Sequence, residues 1–63
     1  MNEDEIKDIV LNKIKEYYDK GRDELAEFRK NKMVTKHECI SLLSSLNKME
    51  KLVTTIINNV FNK

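Results

Sequence analysis

Apolar residues recur at helical spacing along almost the whole of a 63-residue chain that holds no proline and a single glycine. With no breaker to interrupt them, two long helices are the simplest fold such a pattern allows. In the first, Ile6, Val10, Ile14, Tyr17, Gly21, Leu25 and Phe28 share one face, at steps of 4, 4, 3, 4, 4 and 3 residues. This eleven-residue repeat, averaging about 3.67, keeps a nearly straight helix in register over 3–31. Ile9, Leu11 and Tyr18 widen the stripe near its start, while Lys13, Lys15, Glu16, Lys20, Asp23, Glu24 and Glu27 read as a solvated face. The second pattern is a heptad, Cys39, Leu42, Leu46, Met49, Val53, Ile56 and Val60, predicting a helix over 36–62. Leu43 and Ile57 lie on one flank of this seam and Leu52 on the other, with Ile40 and Phe61 near the ends. That face occupies three or four positions in seven, wider than a two-in-seven coiled-coil seam and typical of a bundle.

The ends of both helices carry start signals. Asn2, with Glu5 three residues on, approximates a capping box, and Glu3, Asp4 and Glu5 suit the positive end of a helix dipole. Arg29, Lys30 and Lys32 suit the negative end. Between the helices Asn31 to Val34 fits no period. Thr35-Lys36-His37-Glu38 then forms a second capping box, with Val34 placed to staple onto Cys39 or Ile40. A bend confined to 32–35 forces the helices antiparallel. Centring it near residue 33 or 34 sets positions i and about 67 − i opposite each other. Leu25 then faces Leu42, Tyr17 and Tyr18 face Met49 and Glu50, Ile14 faces Val53 and Val10 faces Ile57. Gly21 falls opposite Leu46, where a glycine costs about 0.5–1 kcal/mol relative to alanine and permits close helix approach.

Size limits what one such hairpin can do alone. Sixty-three residues form one small domain, spanning 1–63, in a range where a lone core is marginal. Cys39 is the single cysteine and His37 the single histidine, so neither a disulfide within the chain nor a four-ligand zinc site is available. Self-association is the remaining route to stability. One hairpin leaves parts of Leu43, Leu52, Ile56 or Ile57 in water, about 400–600 Å² per chain that a second copy would cover. The expected fold class is therefore all-α: an antiparallel hairpin that dimerises into a four-helix bundle. Leu43, Leu46, Met49, Leu52, Val53, Ile56, Ile57 and Val60 form its expected dimer or partner interface.

Few residues invite chemistry. His37 and Cys39 are two apart on a helix and point away from each other, which defeats a nucleophile–base pair. Cys39 reads as a buried thiol on the seam and His37 as an exposed first-turn residue. Asp19, Asp23 and Glu27 line one edge but lack the Glu-x-x-His pattern of di-iron bundles. They pair more naturally with Lys20, Arg22 and Lys30. No glycine-rich phosphate loop or nucleophile elbow occurs. An enzyme is not expected, nor a catalytic residue, metal or cofactor. The Tyr17-Tyr18 pair straddles the seam, one ring packing near Met49 and the other wet at its edge.

The partner is then a macromolecule. No apolar run approaches the roughly 18 residues of a membrane span, residues 1–8 are acidic, and the lone thiol suits the cytoplasm. Met1 followed by a cap at Asn2 reads as the start of a natural open reading frame. Net charge is +1, but Arg29, Lys30, Lys32 and Lys36 concentrate +4 within eight residues at the bend. That cluster is the candidate contact for nucleic acid or an acidic partner. No aromatic residue stacks among these cations, and the helices are too long for a helix-turn-helix. In architecture, not in motif, the expected dimer resembles the plasmid copy-number regulator Rop, whose paired hairpins bind RNA loops. The leading expectation is a small homodimeric adaptor or inhibitor that docks on a larger protein, of the kind found among phage, plasmid and bacterial regulators. The alternative is a nucleic-acid-binding regulator using Arg29–Lys36.

Overall fold

A computed structural model describes residues 2–62, so the reading made of Met1 lies outside the described residues. It holds two helices, α1 over Glu3–Lys30 and α2 over Lys36–Phe61, packed against each other as a hairpin. Each ends one residue short of the span read from the sequence. The hairpin is long and thin, 46 × 18 × 8 Å along its principal axes. All of its tertiary packing is α1 against α2.

Local hydrogen bonds explain where each helix begins and ends. The Asn2 side chain accepts the Glu5 N–H at 2.9 Å, which is half of a capping box. At α2 both halves form: the Thr35 hydroxyl accepts the Glu38 N–H at 3.1 Å, and the Glu38 carboxylate accepts the Thr35 N–H at 2.9 Å. The end of α1 is a Schellman motif. Lys32 N–H donates to the Arg29 carbonyl at 3.1 Å and Met33 N–H to the Phe28 carbonyl at 2.9 Å. Such a motif puts its turning residue in the left-handed region, and Lys32 sits there with φ of 59°. Glycine is the usual occupant; a lysine pays the Cβ cost of about 1–2 kcal/mol.

The expected register is observed. Gly21 faces Leu46: a Cβ built at Gly21 would meet the Leu46 methyls at 3.8 and 3.9 Å, ordinary van der Waals distances. Within the hairpin, then, Gly21 is not required by crowding. The two tyrosines divide as expected, Tyr18 buried and Tyr17 72% exposed, with their rings edge to face at 5.2 Å. Cys39 is half-buried and His37 exposed.

What the heptad pattern misses is the rotation of α2 about its axis. The half-buried residues of α2 are Cys39, Leu46, Glu50, Val53, Thr54, Ile57, Asn58 and Phe61. Leu42, Met49, Ile56 and Val60, read as part of the seam, are instead exposed. A straight helix drifts about 20° per heptad against a strict seven-residue repeat, so a linear seam cannot stay on one line of contact. Polar ties on the other flank supply the remaining rotation, as described below.

Two substitutions at the bend are expected to act in opposite directions in urea unfolding followed by far-UV circular dichroism. Thr35→Ala removes the α2 cap and lowers stability by about 1 kcal/mol. Lys32→Gly relieves the left-handed lysine and raises stability by a similar amount, about 1 kcal/mol. At concentrations where the chain is monomeric, Gly21→Ala is expected to add about 0.5–1 kcal/mol in the same assay, since the new methyl meets no atom of its own hairpin closer than 3.8 Å.

Candidate functional site

The two flanks of the hairpin are chemically different. On one, Arg22 of α1 reaches across to α2. One of its terminal nitrogens donates to the Glu50 carboxylate at 2.6 Å and to the Asn47 side-chain oxygen at 3.0 Å, while the other meets Asp19 at 2.6 Å. Arg22 and Glu50 are each only about a quarter exposed, unlike the Lys13–Glu16 pair, which lies in solvent. Glu50 and then Asp19 hold the guanidinium firmly protonated, well above its ordinary range. Further along the same flank the Lys7 ammonium donates to the Asn62 side chain at 3.3 Å. These ties hold Asn47, Glu50 and Asn62 toward α1. Asp19 thus pairs with Arg22 by i,i+3 spacing, one of the pairings expected for the acidic edge.

The opposite flank is apolar and uncovered. Positions 42, 49, 52, 56 and 60 lie along one side of α2 by helical geometry, and Leu42, Met49, Leu52, Ile56 and Val60 are all exposed there, Leu52 by 60%. From α1, Ile6, Tyr17 and Phe28 border this face. In its half nearer the bend is a hollow of about 220 Å³, bordered by Gly21, Leu25, Phe28, Leu42, Leu46 and Met49. In its other half lie Leu52, Ile56 and Val60, each at least half exposed.

The interface residues read from the sequence fall into two groups. Met49, Leu52, Ile56 and Val60 lie on the uncovered face, whereas Leu46, Val53 and Ile57 are half-buried within the hairpin; Leu43 is 38% exposed on the polar-tied side. Leu42, Phe28 and Tyr17 also border the open face and were not among them. The signal for Leu42 lay in the heptad of α2, and that for Tyr17 and Phe28 in the eleven-residue repeat of α1. Arg29, Lys30, Lys32 and Lys36 are all exposed, and none is in an ion pair among the described residues.

Area gives a measure of the mismatch. Among the described residues only Tyr18 and Leu25 are buried, and neither is completely so. The hairpin exposes 5241 Å², whereas a compact monomer of 7.5 kDa exposes about 4,200 Å². The excess of about 1,000 Å² per chain counts polar and apolar surface together and goes with the elongated shape of the hairpin. No helix among the described residues is long and apolar enough to cross a membrane. Compared with protein-family models, curated proteins and solved structures, the chain gives no significant match to any of them.

The α2 cap is expected to be sensitive to acid. Glu38 accepts the Thr35 N–H and interacts with its hydroxyl, which holds its carboxyl below the usual value of 4.5. A depressed carboxyl stabilises the fold above its unfolded pKa, and that contribution is lost as pH falls through the folded one. Glu38→Gln is therefore expected to be less stable than wild type at pH 7 and to converge on it as the pH falls below the usual carboxyl value of 4.5 in urea midpoints. A gap that persists unchanged into acid would rule this out.

Proposed function

We propose that this chain is a small non-enzymatic interaction module, acting in the cytoplasm, whose open apolar face serves protein–protein association, first with a second copy of itself. The observation that carries this reading is the uncovered apolar flank of α2. Pairing two such faces would cover the exposed Leu42, Met49, Leu52, Ile56 and Val60 of each copy. It would also give each chain the core that two buried residues do not provide. The resulting four-helix assembly suits a homodimeric adaptor or inhibitor that docks on a larger partner. Its half-buried thiol at Cys39 and exposed imidazole at His37 stand on different faces of α2, which favours binding over catalysis.

A second reading rests on the four exposed, unpaired cations at the bend, which suit a polyanion such as nucleic acid. Charge reversal at Lys30, Lys32 and Lys36, followed by binding at two salt concentrations, separates it from the first.

Sedimentation equilibrium of the wild-type chain at tens of micromolar is expected to give the mass of a folded dimer. Leu52→Asp or Ile56→Asp should convert it to monomer, with helicity reduced. A well-folded wild-type monomer at that concentration would overturn the reading.

A further inference from the structure

Charge is distributed unevenly along the hairpin. The bend end carries Arg29, Lys30, Lys32 and Lys36 against Glu27 and Glu38. The open end, about 40 Å away along a 28-residue helix, carries among the described residues Glu3, Asp4, Glu5 and Asp8 against Lys7. The C-terminus of α2 lies at this same open end, with no basic residue in its last turn. Its unsatisfied carbonyls add partial negative charge there. The molecule is thus an electrical dipole along its long axis, basic at one end and acidic at the other.

The apolar face has a matching asymmetry of shape. Its hollow lies in the half near the bend, at the level of Gly21–Phe28 and Leu42–Met49. The most exposed of its α2 residues, Leu52, Ile56 and Val60, lie in the half near the open end. Two copies can meet through this face with their bends together or with their bends at opposite ends. Bends together would set hollow against hollow and like charges against like at both ends. Bends opposed would bring Leu52 and Ile56 of each copy over the hollow of the other. The same arrangement would set each basic bend beside the other copy's acidic end.

We infer that the second copy docks with its bend at the opposite end, so that Leu52 and Ile56 fill the partner copy's Gly21-lined hollow and Arg29–Lys36 faces its Glu3–Asp8 segment. This rests on the self-association proposed above and adds its orientation. It gives Gly21 a place: the hairpin itself has room for a methyl, but Gly21 also borders the hollow that receives the partner's side chains. It also gives the basic bend a protein partner of opposite charge.

Dipolar distance measurements between spin labels test the orientation on the full chain carrying Cys39→Ser. A label at Asn31→Cys marks the bend and one at Lys48→Cys marks the middle of the hairpin; both positions are exposed. Bends opposed predicts a separation near 40 Å or more at Asn31→Cys, set by helix length, with a shorter one at Lys48→Cys. Short distances at both positions would place the bends together and overturn the orientation while leaving the dimer. Monomeric mass with no coupling at either position would overturn both the orientation and the self-association.

A charge test needs no label. Lys30→Glu with Lys32→Glu is expected to weaken the dimer several-fold at low salt, and adding Asp4→Lys with Glu5→Lys on the same chain should recover it. Circular dichroism of each variant checks that the helices persist. With bends together, the first pair of changes only exchanges one like-charge contact for another. An unchanged dimer constant in helical protein would therefore count against the proposal.

Discussion

The tie from Arg22 to Glu50, Asn47 and Asp19 decides which way α2 faces, and most of the surface follows from that choice. A guanidinium offers its donors in a rigid fork, so holding acceptors on two helices fixes rotation as well as distance. The cost is that α2 brings a polar flank toward α1 and turns the other flank, which carries five large apolar side chains, to solvent. Had the heptad seam faced α1 directly, Leu42, Met49 and Ile56 would have been covered and Glu50 left wet. The ion pair is modest as a source of stability because both groups keep some access to water. Its geometry goes with the rotation of α2 that is observed, in which Asn47 and Glu50 face Arg22 and the apolar flank is open.

The parts of this architecture that were legible in the sequence are those set by neighbours along the chain. Thr35 and Glu38 are three residues apart, and their reciprocal bonds form within the first turn of α2 whatever the helix packs against. The same holds for Asn2 and Glu5. Once both helix ends are fixed, a bend of a few residues leaves little freedom of register, and Gly21 meets Leu46 as counting predicts. Rotation was not legible, because apolar spacing alone gives the centre of a stripe and takes no account of a cross-helix arginine. Lys32 was not legible for a different reason. A left-handed lysine is uncommon, and the bonds that impose it join Arg29 and Phe28 to residues beyond the helix end.

A two-helix chain has a geometrical limit that no choice of side chains removes. Two rods touch along one line, so each can hide only one stripe, and the width of that stripe is set by the interaxial spacing of about 8–10 Å. Helices of 28 and 26 residues gain length of contact without gaining depth. That is why Tyr18 and Leu25 are the only buried residues among those described, although 40% of the chain is hydrophobic. A third or fourth helix adds a second line of contact to each rod, and the open flank of α2 is where such a line would fall. The charged outer side of α1 offers no equivalent surface.

The basic bend can be weighed by the same geometry. Its cations have a local use, since Arg29 and Lys30 lie in the last turn of α1 and offset the negative end of that helix. Lys32 and Lys36 lie beyond that turn, and Lys36 stands at the N-terminus of α2, where positive charge is unfavourable. Lys36 is therefore not accounted for by helix dipoles, and both lysines are exposed and open to negative charge from outside the hairpin. Nucleic acid and a second copy both supply it, but they ask for different arrangements. A polyanion gains most from one continuous patch, which bends side by side would build from eight cations. Bends opposed would leave two patches about 40 Å apart, each next to carboxylates from the other chain. The placement of Glu3, Asp4, Glu5 and Asp8 at the far end of the same rod makes the second arrangement the one in which no charge cluster is left facing its like.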